Sequence, residues 1–188
     1  MPINFLFDVL APIYDRVFKE PSLEELQDLL ALPVNGWLLD AGGGTGRVSN
    51  QIRPYVDHLL IADLSRPMLS QAKNKHDCCY VQTSTNQLPF FNDRFERILV
   101  VDALHHFNDQ PSVIKELLRV LKPGGRLVIE EPDIHNFAVK AVALMEKLAL
   151  MGSHFHTWQE IKNMLEQQGY HPLIHLNDAH TAWIIVDK

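Results

Sequence analysis

Cysteine is nearly absent: the 188 residues contain two, Cys78 and Cys79, and they are adjacent. Adjacent cysteines form no CxxC pair, and a vicinal disulfide is strained, so neither a redox pair nor a disulfide framework is expected. A long apolar run is also missing. INFLFDVLAPIYDR near the start carries Asp8 within its apolar stretch and no basic head, and the later stretch 137–151 is broken by Lys140, Glu146 and Lys147. No signal peptide or membrane span is expected from these segments. Positive charge is not in excess either. Lys and Arg number 17 against 23 Asp and Glu, and the net charge of -6 gives no electrostatic footprint for nucleic acid or an anionic membrane. There is no repeat, low-complexity tract or Gly/Ser/Pro-rich linker. These absences point to one domain over 1–188 in a reducing, cytoplasmic setting, with small molecules as partners. Histidine is plentiful, ten in all, but His154 with His156 and His171 with His175 come without HExxH or a carboxylate at ligand spacing, so no metal site is expected.

What is present is an alternation of short apolar runs with helical stretches. WLLDA (37–41), HLLIAD (58–63), CCYVQ (78–82), RILVVDA (97–103) and RLVIEE (126–131) read as strands. Between them, Ser65 followed by Pro67 reads as an N-cap and first turn. From Ser112, SVIKELLRVL places Val113, Leu117, Val120 and Leu121 on one face and stops at Pro123-Gly124-Gly125. Strand, helix, strand, repeated with apolar strands, predicts a parallel sheet covered on both faces. After the fifth strand come helices over about 137–151 and 157–168, a stop at Gly169, and then HPLIHL and TAWIIV around Asn177-Asp178, an antiparallel hairpin.

The stretch LLDAGGGTGRVS (38–49) turns from the first strand into a helix through glycines, at the place where open α/β sheets bind ligands. A P-loop needs GxxxxGK[ST], and this loop has no lysine. The dinucleotide pattern GxGxxG counted from Gly42 puts Arg47 where a small residue is needed, and counted from Gly44 it ends on Ser49. Asp40 weighs further against a pyrophosphate. A carboxylate there repels an anion and welcomes an ammonium or sulfonium, while glycines let the backbone approach closely.

The spacing DxGxGxG, with Asp40, Gly42, Gly44 and Gly46, resembles motif I of the class I S-adenosylmethionine-dependent methyltransferases. IADLSRPML, LPF (88–90), FERILVVDALHHF and LLRVLKPGGRLVIEEP resemble the later motifs of that family in the same order, and the likeness covers roughly 5–132. It implies a Rossmann-like, doubly wound α/β sheet, mostly parallel with a C-terminal antiparallel hairpin. A helical cap would occupy 1–30, the cofactor-binding core 36–132, and helices with the hairpin 133–188. S-adenosylmethionine would be held by Tyr14, Asp40, Gly42, Gly43, Gly44, Gly46, Asp63, Leu64, Met68, Ser84, Thr85 and Asp102. In that reading Asp63 takes both ribose hydroxyls and Met68 flanks the adenine. One departure stands out: family members usually have an acidic residue four positions before LPF, on the adenine amino group, and here Ser84 occupies that position. Its hydroxyl can accept from that amine without charge assistance, and Thr85 can offer its backbone N–H, so weaker cofactor binding is expected.

The acceptor is less determined. Enzymes of this fold that methylate base amines carry Asn or Asp, two prolines and an aromatic after the fourth strand, whereas this chain has Asp102-Ala103-Leu104-His105-His106. FDVLAPIYDRVF resembles the opening helix of the quinone-biosynthesis and related small-molecule methyltransferases, with Tyr14 and Asp15 over the cofactor; the alternative is a surface helix pinned by Phe5, Leu6 and Val9. The apolar helix 137–151 is a packed element, a pocket wall or the face of a homodimer. A histidine after the fourth strand is the candidate general base, His106 first and His105 second, because imidazole ordinarily titrates near working pH; His135 and Tyr14 come next. The leading expectation is a methyltransferase acting on a small molecule. Its rivals are a non-catalytic binder of the cofactor or its product, and a nicotinamide dehydrogenase.

Overall fold

The computed structural model describes residues 21–73, 78–132, 154–177 and 181–188. Seven strands form one sheet: β1 (Val34–Ala41), β2 (Val56–Asp63), β3 (Cys79–Gln82), β4 (Phe95–Val101), β5 (Leu121–Pro132), β6 (Leu173–Leu176) and β7 (Thr181–Asp187). Their spatial order is β3-β2-β1-β4-β5-β7-β6. The first five are parallel, while β7 runs antiparallel both to β5 and to its hairpin partner β6. This is the mostly parallel, doubly wound sheet expected from the strand rhythm. The order reverses between β1 and β4, which opens a crevice at their carboxyl ends.

Strand alternation sends neighbours to opposite faces, so each apolar strand feeds two cores. Leu39, Ile98, Val100, Leu127, Ile129 and Ile184 pack under α4 (Gln110–Val120) and α5 (Trp158–Glu166). Leu38, Leu59, Ile61, Leu99, Val128 and Trp183 pack under α1 (Leu23–Leu30), α2 (Arg47–Ile52) and α3 (Arg66–Lys73). Ser65 caps α3 as expected, its Oγ accepting from the Met68 N–H at 3.3 Å.

Two boundaries differ from the sequence reading. The helix after β4 begins at Gln110 with Asp109 as its N-cap, the carboxylate accepting from the Ser112 N–H at 3.2 Å, because Pro111 is well suited to a first turn. It ends at Val120, so Leu121 opens β5, which runs on through Pro123-Gly124-Gly125 with a register shift against β4. In α5 a capping box joins Thr157 and Glu160, and the chain leaves through Gly169 at φ 86. The hairpin closes through Asn177, whose Oδ1 accepts from the Thr181 N–H at 3.1 Å. The expected opening helix with Tyr14, His135 and the helix 137–151 lie outside the described residues. Among the described residues no helix is long and apolar enough to cross a membrane.

Candidate functional site

The crevice between β1 and β4 is a cleft of about 400 Å³, within the ordinary range for a small-molecule site. Asp40, Gly42, Gly43, Gly44, Asp63, Leu64, Met68, Ser84, Thr85, Asp102 and His106 all line it, so eleven residues proposed from distant parts of the sequence meet at one place.

The glycine turn takes its shape from backbone needs. Gly42 and Gly44 sit at φ 79 and φ 53, in the left-handed region. The N–H groups of Gly42 and Gly43 both donate to the Ala62 carbonyl, at 2.8 and 3.3 Å, which ties the turn to the end of β2. A Cβ on Gly43 would sit 2.5 Å from the Asp40 carboxyl carbon, and one on Gly44 would lie 3.9 Å from both the Asp63 carboxylate and the Met68 sulfur. A side chain at 44 would therefore project into the cleft between Asp63 and Met68. Gly46 does not line the cleft; it is the left-handed N-cap of α2, with φ 72.

Asp40 is buried, and its carboxylate accepts from the Ser49 hydroxyl at 2.6 Å. Burial pushes its carboxyl up to about 6, with Asp63 adding to the rise and Ser49 and Arg47 opposing it. Asp63 accepts from the Gly44 N–H at 2.9 Å through one oxygen and from the Ser65 N–H at 2.7 Å through the other. Those two bonds fix the plane of a carboxylate that has about four acceptor directions, the arrangement needed to meet a vicinal diol. At the other end of the cleft Met68 is buried and Leu64 is 49% exposed. Ser84 is exposed, its Oγ 3.3 Å from the Asn86 Oδ1, while Thr85 is buried.

The histidines part company. His106 lines the cleft, but burial and the neighbouring His105 push its ring down to about 2. The expectation that it titrates near working pH is corrected: desolvation keeps the ring neutral. His105 turns away and is buried, with Nδ1 2.6 Å from the Glu131 Oε2 and its ring stacked on Phe155 at 4.2 Å. Glu131 Oε1 also accepts from the N–H of Leu104 at 2.7 Å and of His105 at 3.4 Å. Glu131 thus anchors the turn that carries His106, and His105 is part of that anchor, away from the cleft. Sequence reasoning passed over Glu131, Glu130 and Arg47. The signal for the two glutamates was the pair itself, since adjacent carboxylates ending an apolar strand must face opposite sides of the sheet.

The cleft suits a cationic nucleoside. It offers the carboxylates of Asp40, Asp63 and Asp102, a glycine turn that admits close approach, and the apolar Met68. Among the described residues no group of three His, Cys, Asp or Glu is placed to hold a metal ion.

Residues 39–129 match the family described as a methyltransferase domain. The ubiquinone/menaquinone biosynthesis C-methyltransferase UbiE of Vibrio campbellii is 34% identical over 104 residues, covering 50% of this chain and 40% of that protein. The chain therefore spans well under two thirds of the length of such relatives. Among solved structures, the [4+2]-cyclase SpnF superposes with a TM-score of 0.79 at 14% identity, over 100% of this chain and 97% of that one. A SAM dependent methyltransferase from Aquifex aeolicus gives 0.74 at 16%, over 97% of each. Two reactions on one architecture show that the fold alone does not choose the chemistry. The matched sequence segment, the 3-2-1-4-5-7-6 sheet and the acidic glycine-lined cleft together support a methyltransferase domain of the S-adenosylmethionine-dependent kind in residues 39–129.

Proposed function

We propose that the protein binds S-adenosylmethionine in this cleft and transfers its methyl group to a small molecule. The observation that carries the reading is Asp63, held by two backbone N–H groups at the end of β2 with Gly44 beside it. In this pose the ribose diol meets Asp63, the adenine lies by Met68 with Ser84 and Thr85 at its edge, and the methionine portion extends toward Asp40 and Asp102. Bound there, the cofactor supplies an electrophilic methyl carbon that already carries its leaving group.

The chain's own task is alignment and exclusion of water. His106, Phe107 and Asn108 line the wall that follows Asp102, the side on which an acceptor would approach. His106 acts there as a neutral hydrogen-bonding ring that orients the acceptor, because a proton on it is strongly disfavoured. The relatives named for ubiquinone and menaquinone biosynthesis favour a quinone-like aromatic ring as acceptor, methylated on carbon.

A thermal-shift series tests the cofactor reading. Ligand that binds the folded state alone raises the melting temperature by mass action. S-adenosylhomocysteine should raise it and NAD and ATP should not; equal shifts from NAD would sink the assignment.

A further inference from the structure

The sheet order gives the two ends of the cleft to different parts of a nucleoside ligand. β3 lies outside β2, while β1 and β4 lie on its other side. With the ribose at the end of β2, the purine falls toward β3 and the sulfur toward β1 and β4. The Thr83 N–H donates to the Asp63 carbonyl at 3.0 Å, so the turn after β3 starts directly beside Asp63. Ser84, Thr85 and Asn86 of that turn line the cleft. The acids that line it, Asp40, Asp63 and Asp102, stand at or just beyond the ends of β1, β2 and β4. Among the described residues the turn after β3 therefore brings no carboxylate to the purine end. Its side chains hold one another in place. The Ser84 hydroxyl donates to the Asn86 Oδ1 at 3.3 Å and accepts from the Asn86 backbone N–H at 3.4 Å, while Asn86 Nδ2 donates to the Asp109 carbonyl at 3.4 Å. A primary amide has two donor hydrogens and two acceptor lone pairs, so Asn86 keeps one of each for a ligand.

Resting on the cofactor reading, we infer that Asn86, with Ser84, reads the purine 6-position through neutral groups that both donate and accept, so that the site takes 6-oxopurine as well as 6-aminopurine nucleoside thioethers. A 6-amino group donates to Asn86 Oδ1 or Ser84 Oγ, and a 6-oxo group accepts from Asn86 Nδ2. A carboxylate in their place would accept only, and would set its charge against the 6-oxo oxygen. Both side chains are exposed, so exchanging one substituent for the other strands no buried group of theirs. Discrimination then rests on the ring nitrogen N1. The N–H of Thr85, a buried residue, has no partner among the described residues; it suits the bare N1 of adenine and not the protonated N1 of a 6-oxopurine.

Competition calorimetry on the full chain tests this without any acceptor. S-adenosylhomocysteine is titrated alone and then against S-inosylhomocysteine, its 6-oxo counterpart. The wild-type protein should favour the adenosyl ligand by less than about thirtyfold, the worth of one lost neutral hydrogen bond and its stranded donor. A larger ratio overturns the inference, whether or not any variant folds. Asn86→Asp and Ser84→Asp each place an acceptor-only group at the edge, and at least one of them should widen the ratio by about tenfold or more through weaker S-inosylhomocysteine binding. If both variants bind S-adenosylhomocysteine and keep the wild-type ratio, the 6-position is read elsewhere and the inference is overturned. If S-adenosylhomocysteine itself fails to bind the wild-type protein, the cofactor reading falls and takes this inference with it; if it binds and S-inosylhomocysteine does not, this inference alone falls.

Discussion

At Asp63 a single side chain joins the glycine turn to the first turn of α3, since one oxygen accepts from Gly44 and the other from Ser65. Asp63→Ala should cost about 1.5–3 kcal/mol of S-adenosylmethionine affinity, the worth of charge-assisted bonds to two hydroxyls. An unchanged dissociation constant would put the ribose elsewhere. Ser84 is the opposite case, exposed and, among the described residues, bonded to its chain neighbours Thr83, Asn86 and Gln87. Ser84→Asp should tighten the cofactor by about 0.5–1.5 kcal/mol, because a carboxylate accepts more strongly than a hydroxyl and little desolvation is paid at an exposed position. Calorimetry showing weaker binding would mean that the adenine edge is shaped around the hydroxyl. Both positions were legible in the sequence, Asp63 from its place at the end of an apolar run and Ser84 from its offset before LPF. The turning of His105 away from the cleft was not, since adjacent residues on a short turn give no periodicity that says which one faces the cleft.

On the scale of elements, the turn Leu104–His106 is fastened to β5 by Glu131, and beyond it to the segment entering α5. The His105 carbonyl accepts from the His154 N–H at 2.7 Å, and the His154 carbonyl accepts from the Gln110 amide at 2.6 Å. This chain of bonds sets the wall made by Ala103, His106, Phe107 and Asn108. Glu131→Ala would strand two backbone N–H groups and a buried imidazole, and should cost about 3 kcal/mol of stability, read from the urea midpoint. Glu131→Gln retains an acceptor for the backbone donors and should cost about half as much. Equal losses from the two variants would show that the charge, and not the acceptor geometry, holds the turn. Strand identities were readable throughout because each is an apolar run of β-rich composition, whereas the ends of α4 were not, since Asp109 and Ser112 are both competent caps and only the placement of Pro111 separates them.

For the whole molecule, burying acids in and behind the cleft costs stability that depends on pH. The folded-state carboxyl of Glu130 is raised from its ordinary 4.5 to about 8, so the folded protein holds a proton that the unfolded chain has lost, and stability falls as pH rises between those values. Asp40, raised to about 6, acts in the same direction, but most of its titration lies below pH 6.5. His106 acts oppositely. Its ring is pushed down to about 2, so it withdraws stability as pH falls below its ordinary 6.5. From pH 6.5 to 8 Glu130 therefore dominates among these three. The ligand-free protein should lose about 1–2 kcal/mol across that window, the figure discounted for a half-buried side chain, and Glu130→Gln should flatten the slope. Denaturant melts at three pH values check it, and a wild-type curve level from 6.5 to 8 would refute the assignment. The sequence alone determined the strand rhythm, the glycine turn and the acids at or beside the carboxyl ends of β1, β2 and β4, because period-two alternation, glycine-rich turns and polar residues near strand ends are local properties. Only the tertiary structure decided that Glu130 shares a face and a guanidinium with Asp40, that Glu131 is an anchor, and that His106 is too desolvated to titrate near neutrality. Those facts depend on register between strands up to 90 residues apart and on burial from several elements at once, which no local pattern encodes.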